Sequence, residues 1–133
     1  MKTLLLFAVT TLVGCATVKV APDHAVLING HPRLEIPAPG QSRITVVRDA
    51  GFFGSACSIS VSIDGESVGS LRTQQRVDAY VDPGEHVVEI STAEGLCGNF
   101  HASASCLASN GVPKAFRVGY PSGGDLAILP IAP

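Results

Sequence analysis

Ser58-Ile59-Ser60-Val61-Ser62-Ile63 alternates polar and apolar side chains without a break. A two-residue period places Ile59, Val61 and Ile63 on one face of a strand and the serines on the other. Asp64-Gly65 follows, a pair that tolerates the positive φ of a tight hairpin turn, and Ser67 to Leu71 returns as the partner strand. Arg76-Val77-Asp78-Ala79-Tyr80-Val81 repeats the alternation with Val77, Ala79 and Val81 inward. In Asp82-Pro83-Gly84-Glu85, Pro presets φ at the second turn position and Gly accepts positive φ at the third, so His86 to Thr92 becomes the next strand. Shorter or weaker runs lie at Ala25–Ile28, Arg43–Arg48, Phe100–Leu107, Lys114–Tyr120 and Asp125–Leu129. Beyond the first fourteen residues nothing keeps a 3.6-residue period for three turns. The pattern predicts an all-β chain, an antiparallel β-sandwich of seven or eight short strands over residues 25–133.

The start of the chain reads differently. Met1-Lys2-Thr3 is a short positive opening, and Leu4 to Val13 is an apolar run too short to cross the roughly 30 Å hydrocarbon core as a helix. It has the proportions of a signal-peptide core. It ends in Leu12-Val13-Gly14-Cys15, which matches the bacterial lipobox. A thiol is what forms the thioether to diacylglycerol, and small residues before it let the signal peptidase reach the Gly14–Cys15 bond. The expectation is a helical leader, residues 1–14, cleaved between Gly14 and Cys15, then a lipidated Cys15 and short tether over residues 15–24. The alternative is an ordinary secretory leader in which Cys15 is incidental. Each buried methylene contributes about 0.8 kcal/mol, so one acyl chain binds marginally and two or three hold firmly. Ala16 rather than Asp follows Cys15. By resemblance to enterobacterial sorting, this favours an outer-membrane location in the bacterial cell envelope, facing the periplasm.

Composition narrows function more than fold. The 133 residues suffice for one domain, with no Trp and only 15% charged side chains. The formal net charge is −2, acids and bases are interspersed, and loss of Lys2 with the leader makes the mature chain more negative. No basic patch exists to release counterions, which excludes nucleic acid as a partner. The expected partner is the membrane, reached through the lipid on Cys15, with an envelope protein or a glycan as the further contact.

Export puts the remaining cysteines, Cys57, Cys97 and Cys106, where a disulfide persists. If the strands Ser58–Ile63 and His86–Thr92 pair antiparallel, the start of one lies beside the end of the other, bringing Cys57 to Cys97. The rival is a local Cys97–Cys106 staple. Cys106 falls in an alternating run and reads as a small buried thiol.

Chemistry is sparse. His24, His31, His86 and His101 show no metal-ligand spacing, and a zinc site from His86, His101 and an acid is the rival to scattered surface histidines. There is no nucleophile elbow and no phosphate-binding glycine pattern. Serines occupy the solvent face of alternating strands, and Asp64, Asp78, Asp82, Glu85 and Glu89 read as solvated acids. No catalytic residue, metal or cofactor is expected. Gly51-Phe52-Phe53-Gly54 stands out, because two adjacent aromatics cannot both face one side of a sheet. One of them is either a contact residue at a loop tip or a plug for the end of the sandwich.

The elements ITVVRDAGFFGSAC, VSIDGESVGSL, VDAYVDPGEHVVEIS and GLCG resemble a family of uncharacterised small proteobacterial lipoproteins, and their IDG…VG…PGEH succession looks like PEGA-type β-sandwich modules. The resemblance covers roughly residues 43–129. It implies an Ig-like, PEGA-like sandwich, supports the Cys57–Cys97 pairing and carries no catalytic residues. The leading expectation is a non-enzymatic, membrane-tethered interaction or structural module. The alternatives are a periplasmic enzyme inhibitor of the lysozyme-inhibitor kind, a ligand-binding lipoprotein and, third, a hydrolase or metal protein.

Overall fold

The computed structural model of the chain describes residues 17–51, 53–121 and 124–132. Gly14, Cys15 and Phe52 therefore lie outside the described residues, as does the expected leader. The architecture is the expected all-β sandwich, and the described residues form nine strands in two sheets. The five-stranded sheet contains β1 (Val26–Leu27), β5 (Gln75–Val81), β2 (Ser42–Arg48), β8 (Lys114–Gly119) and β9 (Ala127–Ile131), in that order. The four-stranded sheet runs β4 (Glu66–Leu71), β3 (Ile59–Ile63), β6 (Gly84–Thr92) and β7 (His101–Ala108). The strand count exceeds the expected seven or eight because the short runs β1 and β9 both pair, each closing one edge of the larger sheet.

The four-stranded sheet is antiparallel throughout. The other is mixed, since β1 runs parallel to β5 and β2 parallel to β8. A parallel pair cannot be joined by a tight turn, and the whole four-stranded sheet lies between β2 and β8 in sequence. Alternation dictates the core. Ile44, Val46, Val77 and Val118 from one sheet meet Ile59, Val61, Leu71 and Val88 from the other, all essentially without solvent contact. Each such burial contributes about 1.5–3 kcal/mol. The Asp64-Gly65 turn has φ of 51° and 80°, as its composition requires.

From Ile44 onward β2 is buried on both faces, with the segment around the 3₁₀ turn Pro22–His24 packed against it. The residues before that turn, expected as a tether, are bonded to the sandwich. Val18 exchanges backbone hydrogen bonds with Ala50, the Thr17 hydroxyl donates to the Tyr120 carbonyl at 2.9 Å, and the Val20 N–H donates to Asp49 at 3.0 Å. Each of these bonds has a backbone group on at least one side, and backbone groups leave no mark in side-chain pattern.

The two ends of the sandwich differ in composition. One, the disulfide end, collects the last residues of β2, β4, β6 and β8. The other, the hairpin end, collects the turns after β3, β5 and β7.

Candidate functional site

β3 and β6 pair antiparallel with Ile59 opposite Thr92, which carries Cys57 to Cys97 across a Cα–Cα distance of 5.7 Å, and the two form a disulfide. Cys106 is not bridged and stands opposite His86 at the hairpin end, which removes the Cys97–Cys106 alternative. The bridge ties together two loops. One is the loop 51–57, whose first part, Gly51–Gly54, is the expected contact loop, and in which the Cys57 N–H donates to the Gly54 carbonyl. The other is the turn in which the Gly98 N–H donates to the Gly95 carbonyl at 3.1 Å and Leu96 stands at the tip.

Within the first loop Phe53 is 47% exposed and lies edge-on against Tyr120, ring centroids 5.3 Å apart. Tyr120 is itself buried and also meets Phe100 edge-on at 6.2 Å. Tyr120 thus plugs this end of the sandwich, and Phe53 covers the plug while facing water. Gly54 has φ 67°, and a Cβ there would stand 2.4 Å from the Tyr120 ring, so the close approach of the loop needs glycine. Gly51, at φ 150°, opens the same loop.

Beneath the loop lies a residue the sequence reading passed over. Arg48, at the end of β2, is 1% exposed. Its guanidinium donates to the carbonyls of Cys57, of Leu71 at 2.9 Å and of Gly54 at 2.6 Å. Burial lowers its pKa from the ordinary value, yet an arginine keeps its proton in proteins. A charge-terminated β-branched run looks solvent-facing in sequence, and backbone carbonyls, the partners here, have no sequence signature. Next to it Asp49 accepts from Arg117 at 2.7 Å and from the Val20 N–H, fastening the first described segment to β2 and β8.

The hairpin end holds the other polar cluster. His86 Nδ1 is 2.6 Å from an Asp64 carboxylate oxygen, and Nε2 is 2.7 Å from the Asp82 carbonyl. Both ring nitrogens face acceptors, so the arrangement is satisfied fully only by the protonated imidazolium. Burial works against that charge, but the bonds to Asp64 and Asp82 outweigh it and raise the pKa. The bond from His86, helped by the Val87 N–H, holds the Asp64 carboxyl below its ordinary value. The pairing corrects the expectation of a solvated turn acid at Asp64 and a scattered histidine at His86. Their 22-residue separation carries no motif.

His86 and His101 are not brought together. In the β6–β7 register His86 faces Cys106 while His101 faces Ser91, five positions further along, or about 17 Å. Burial pushes the Cys106 thiol up, a shift that Lys114 opposes and Asp64 reinforces. A concavity on the outer face of the four-stranded sheet holds Ser62, Glu89, Ser91, His101 and Ser103. The Nε2 of His101 meets Asn99 at 2.9 Å, and among the described residues no hydrogen bond joins it to a serine. Asp78, expected on an exposed face, is largely covered and accepts from Thr45 at 2.8 Å and Arg76 at 2.7 Å.

A groove of about 820 Å³ runs beside β7, β8 and β9. Cys106, Leu107, Phe116 and Pro130 line it together with Arg43 and Lys114. Among the described residues neither cation takes part in an ion pair. No protein-family model matches the chain, and no curated protein matches it.

Proposed function

We propose that the chain is a non-enzymatic interaction module of the bacterial cell envelope, held to the membrane by lipid on Cys15 after cleavage at the Gly14–Cys15 bond. The carrying observation is the Leu12-Val13-Gly14-Cys15 sequence, followed within two residues by Thr17, which is bonded to the sandwich. That proximity supports a domain held tightly against its anchor. The non-enzymatic part is supported by the state of one nucleophile and the base opposite it in the β6–β7 register. Cys106 has a raised pKa, and His86 across from it has both nitrogens engaged, so that imidazole is not free to activate the thiol.

Intact-mass measurement on the chain expressed in a Gram-negative host tests the anchor. The expected species lacks residues 1–14 and carries acyl mass on Cys15, and Cys15→Ser moves the protein out of the membrane fraction. An unacylated residue 15 or a retained leader overturns the reading.

The groove beside β7, β8 and β9 favours a second reading, a ligand-binding lipoprotein. Its apolar lining and two unpaired cations suit an amphiphile with an anionic head. Native mass spectrometry of the purified protein tests it. A bound anionic lipid lost in an Arg43→Glu/Lys114→Glu variant supports this reading, and a bare protein opposes it.

A further inference from the structure

The disulfide end is where the chain emerges toward Cys15, and it is also where two fixed loops point apolar side chains into solvent. Thr17 is bonded to the Tyr120 carbonyl, and Val18 is paired with Ala50, so the start of the described chain has a definite place at this end. Two peptide units separate Thr17 from Cys15, a reach of at most about 7 Å. Leu96, at the tip of its turn, is fully exposed, and Phe53 and Val18 are 47% and 60% exposed. Scattered apolar side chains on a surface need no explanation. Here, however, the tips of both disulfide-linked loops are apolar, and both lie at the end from which the chain leads to its lipid.

We infer that this end seats on the lipid surface, with Phe53 and Leu96 entering the headgroup layer beside the acyl chains. The inference rests on lipid attachment at Cys15. The loops are built for such a contact. Cys57–Cys97 fixes one tip relative to the other, the Arg48 guanidinium holds the carbonyls of Gly54 and Cys57, and Tyr120 supports the Phe53 ring from beneath. Side chains on loops already ordered lose little freedom when they insert. A phenyl ring and an isobutyl group are suited to the boundary between headgroups and acyl chains, where apolar faces bury to about 5–10 Å. Phe53 of the expected contact loop thereby faces lipid rather than a soluble partner. The hairpin end, a strand length of about 23 Å away, faces the aqueous compartment.

The chain has no tryptophan, which makes a single introduced one a clean reporter. The full lipoprotein is reconstituted into phosphatidylcholine vesicles with brominated acyl chains, as the Phe53→Trp, Leu96→Trp and Val112→Trp variants. Val112 is half-exposed in the turn at the hairpin end. Vesicle flotation and intact mass are read on the same samples. Strong quenching in the first two variants and none in the third supports the inference. Leu96 has no packing to lose, so its variant reports even where the substitution at Phe53 disturbs the Tyr120 contact. Protein that floats and carries acyl mass, yet shows unquenched tryptophan at positions 53 and 96, overturns the seating while leaving the anchor intact. Protein that neither floats nor carries acyl mass overturns both. A blue shift that grows with protein concentration without vesicles assigns this end to a second copy, and also overturns the seating.

Discussion

At the disulfide end the loops are held by a covalent bridge, by a buried guanidinium spread over the carbonyls of residues 54, 57 and 71, and by an aromatic stack on Tyr120. At the hairpin end the corresponding work falls to a half-exposed Asp64, the Asp82 carbonyl and a histidine between them, beside an unbridged thiol. The first set keeps its charge state across the pH range in which proteins work but depends on oxidation. The second contains no covalent bridge and holds a proton whose affinity is raised by the bonds from His86 to Asp64 and Asp82. One sandwich therefore has an end held by a covalent bridge and a permanent charge and an end held in part by a titratable pair. Fixed geometry would suit the end proposed to meet a lipid surface, where ordering on contact would otherwise cost affinity.

The sharpest way to break this contrast is to remove Arg48. Arg48→Met keeps a long side chain in place but leaves three carbonyls without their donor. With about 1–3 kcal/mol per orphaned buried acceptor, the expected loss is about 3–5 kcal/mol in urea unfolding. Arg48→Lys recovers only part of it, because one ammonium cannot reproduce the fork of the guanidinium. A loss within about 0.5 kcal/mol, the scale of an ordinary surface substitution, would show that the disulfide end is not held by this residue.

Next comes the bridge. Cys57→Ser/Cys97→Ser, or reduction, opens a loop of 40 residues and lowers stability by about 2–4 kcal/mol. Hydrogen exchange localises the change, with faster exchange at the Cys57, Gly98 and Phe100 amides and unchanged exchange at Asp64 and Val87. Equal acceleration at both ends would mean that the two are one cooperative unit.

These residues also mark how far the sequence could be read. β3, β5 and the Asp64-Gly65 turn are legible because side-chain period and turn composition are local signals, and the Cys57–Cys97 pairing follows once β3 and β6 are set antiparallel. The disulfide was thus within reach, whereas Arg48 was not. Its burial is decided by where loop 51–57 and the end of β4 fold back, and its partners are backbone oxygens common to every residue. The pairing of β2 with β8 is equally silent, being parallel and separated by most of the domain. The docking of Thr17–Val20 rests mainly on backbone bonds, so a segment that reads as a tether in composition lies against the sandwich. At the hairpin end His86 and Asp64 are each visible as residues, and only the antiparallel turn of β3 into contact with β6 makes them a pair.

The smallest expected effect belongs to that pair, and it tests the other half of the contrast. The folded pKa of His86 is raised above its unfolded value, so its contribution to stability is complete below the unfolded pKa and is lost as pH rises through the folded pKa. Asp64 acts with the opposite sign. Its folded pKa is lowered, so its contribution is present above the unfolded carboxyl value and disappears as pH falls through the folded one. Together they stabilise the hairpin end most in the mildly acidic window between those limits. Because Asp64 is 49% exposed, solvent screens the pair, and the amplitude expected is below about 1 kcal/mol. Urea midpoints taken from mildly acidic to alkaline pH should fall on the alkaline side in the wild type, and His86→Gln should flatten that limb while leaving the effect of Arg48→Met unchanged. A slope that persists in His86→Gln would place the titrating group elsewhere, and the hairpin end would lose its claim to be the pH-responsive one.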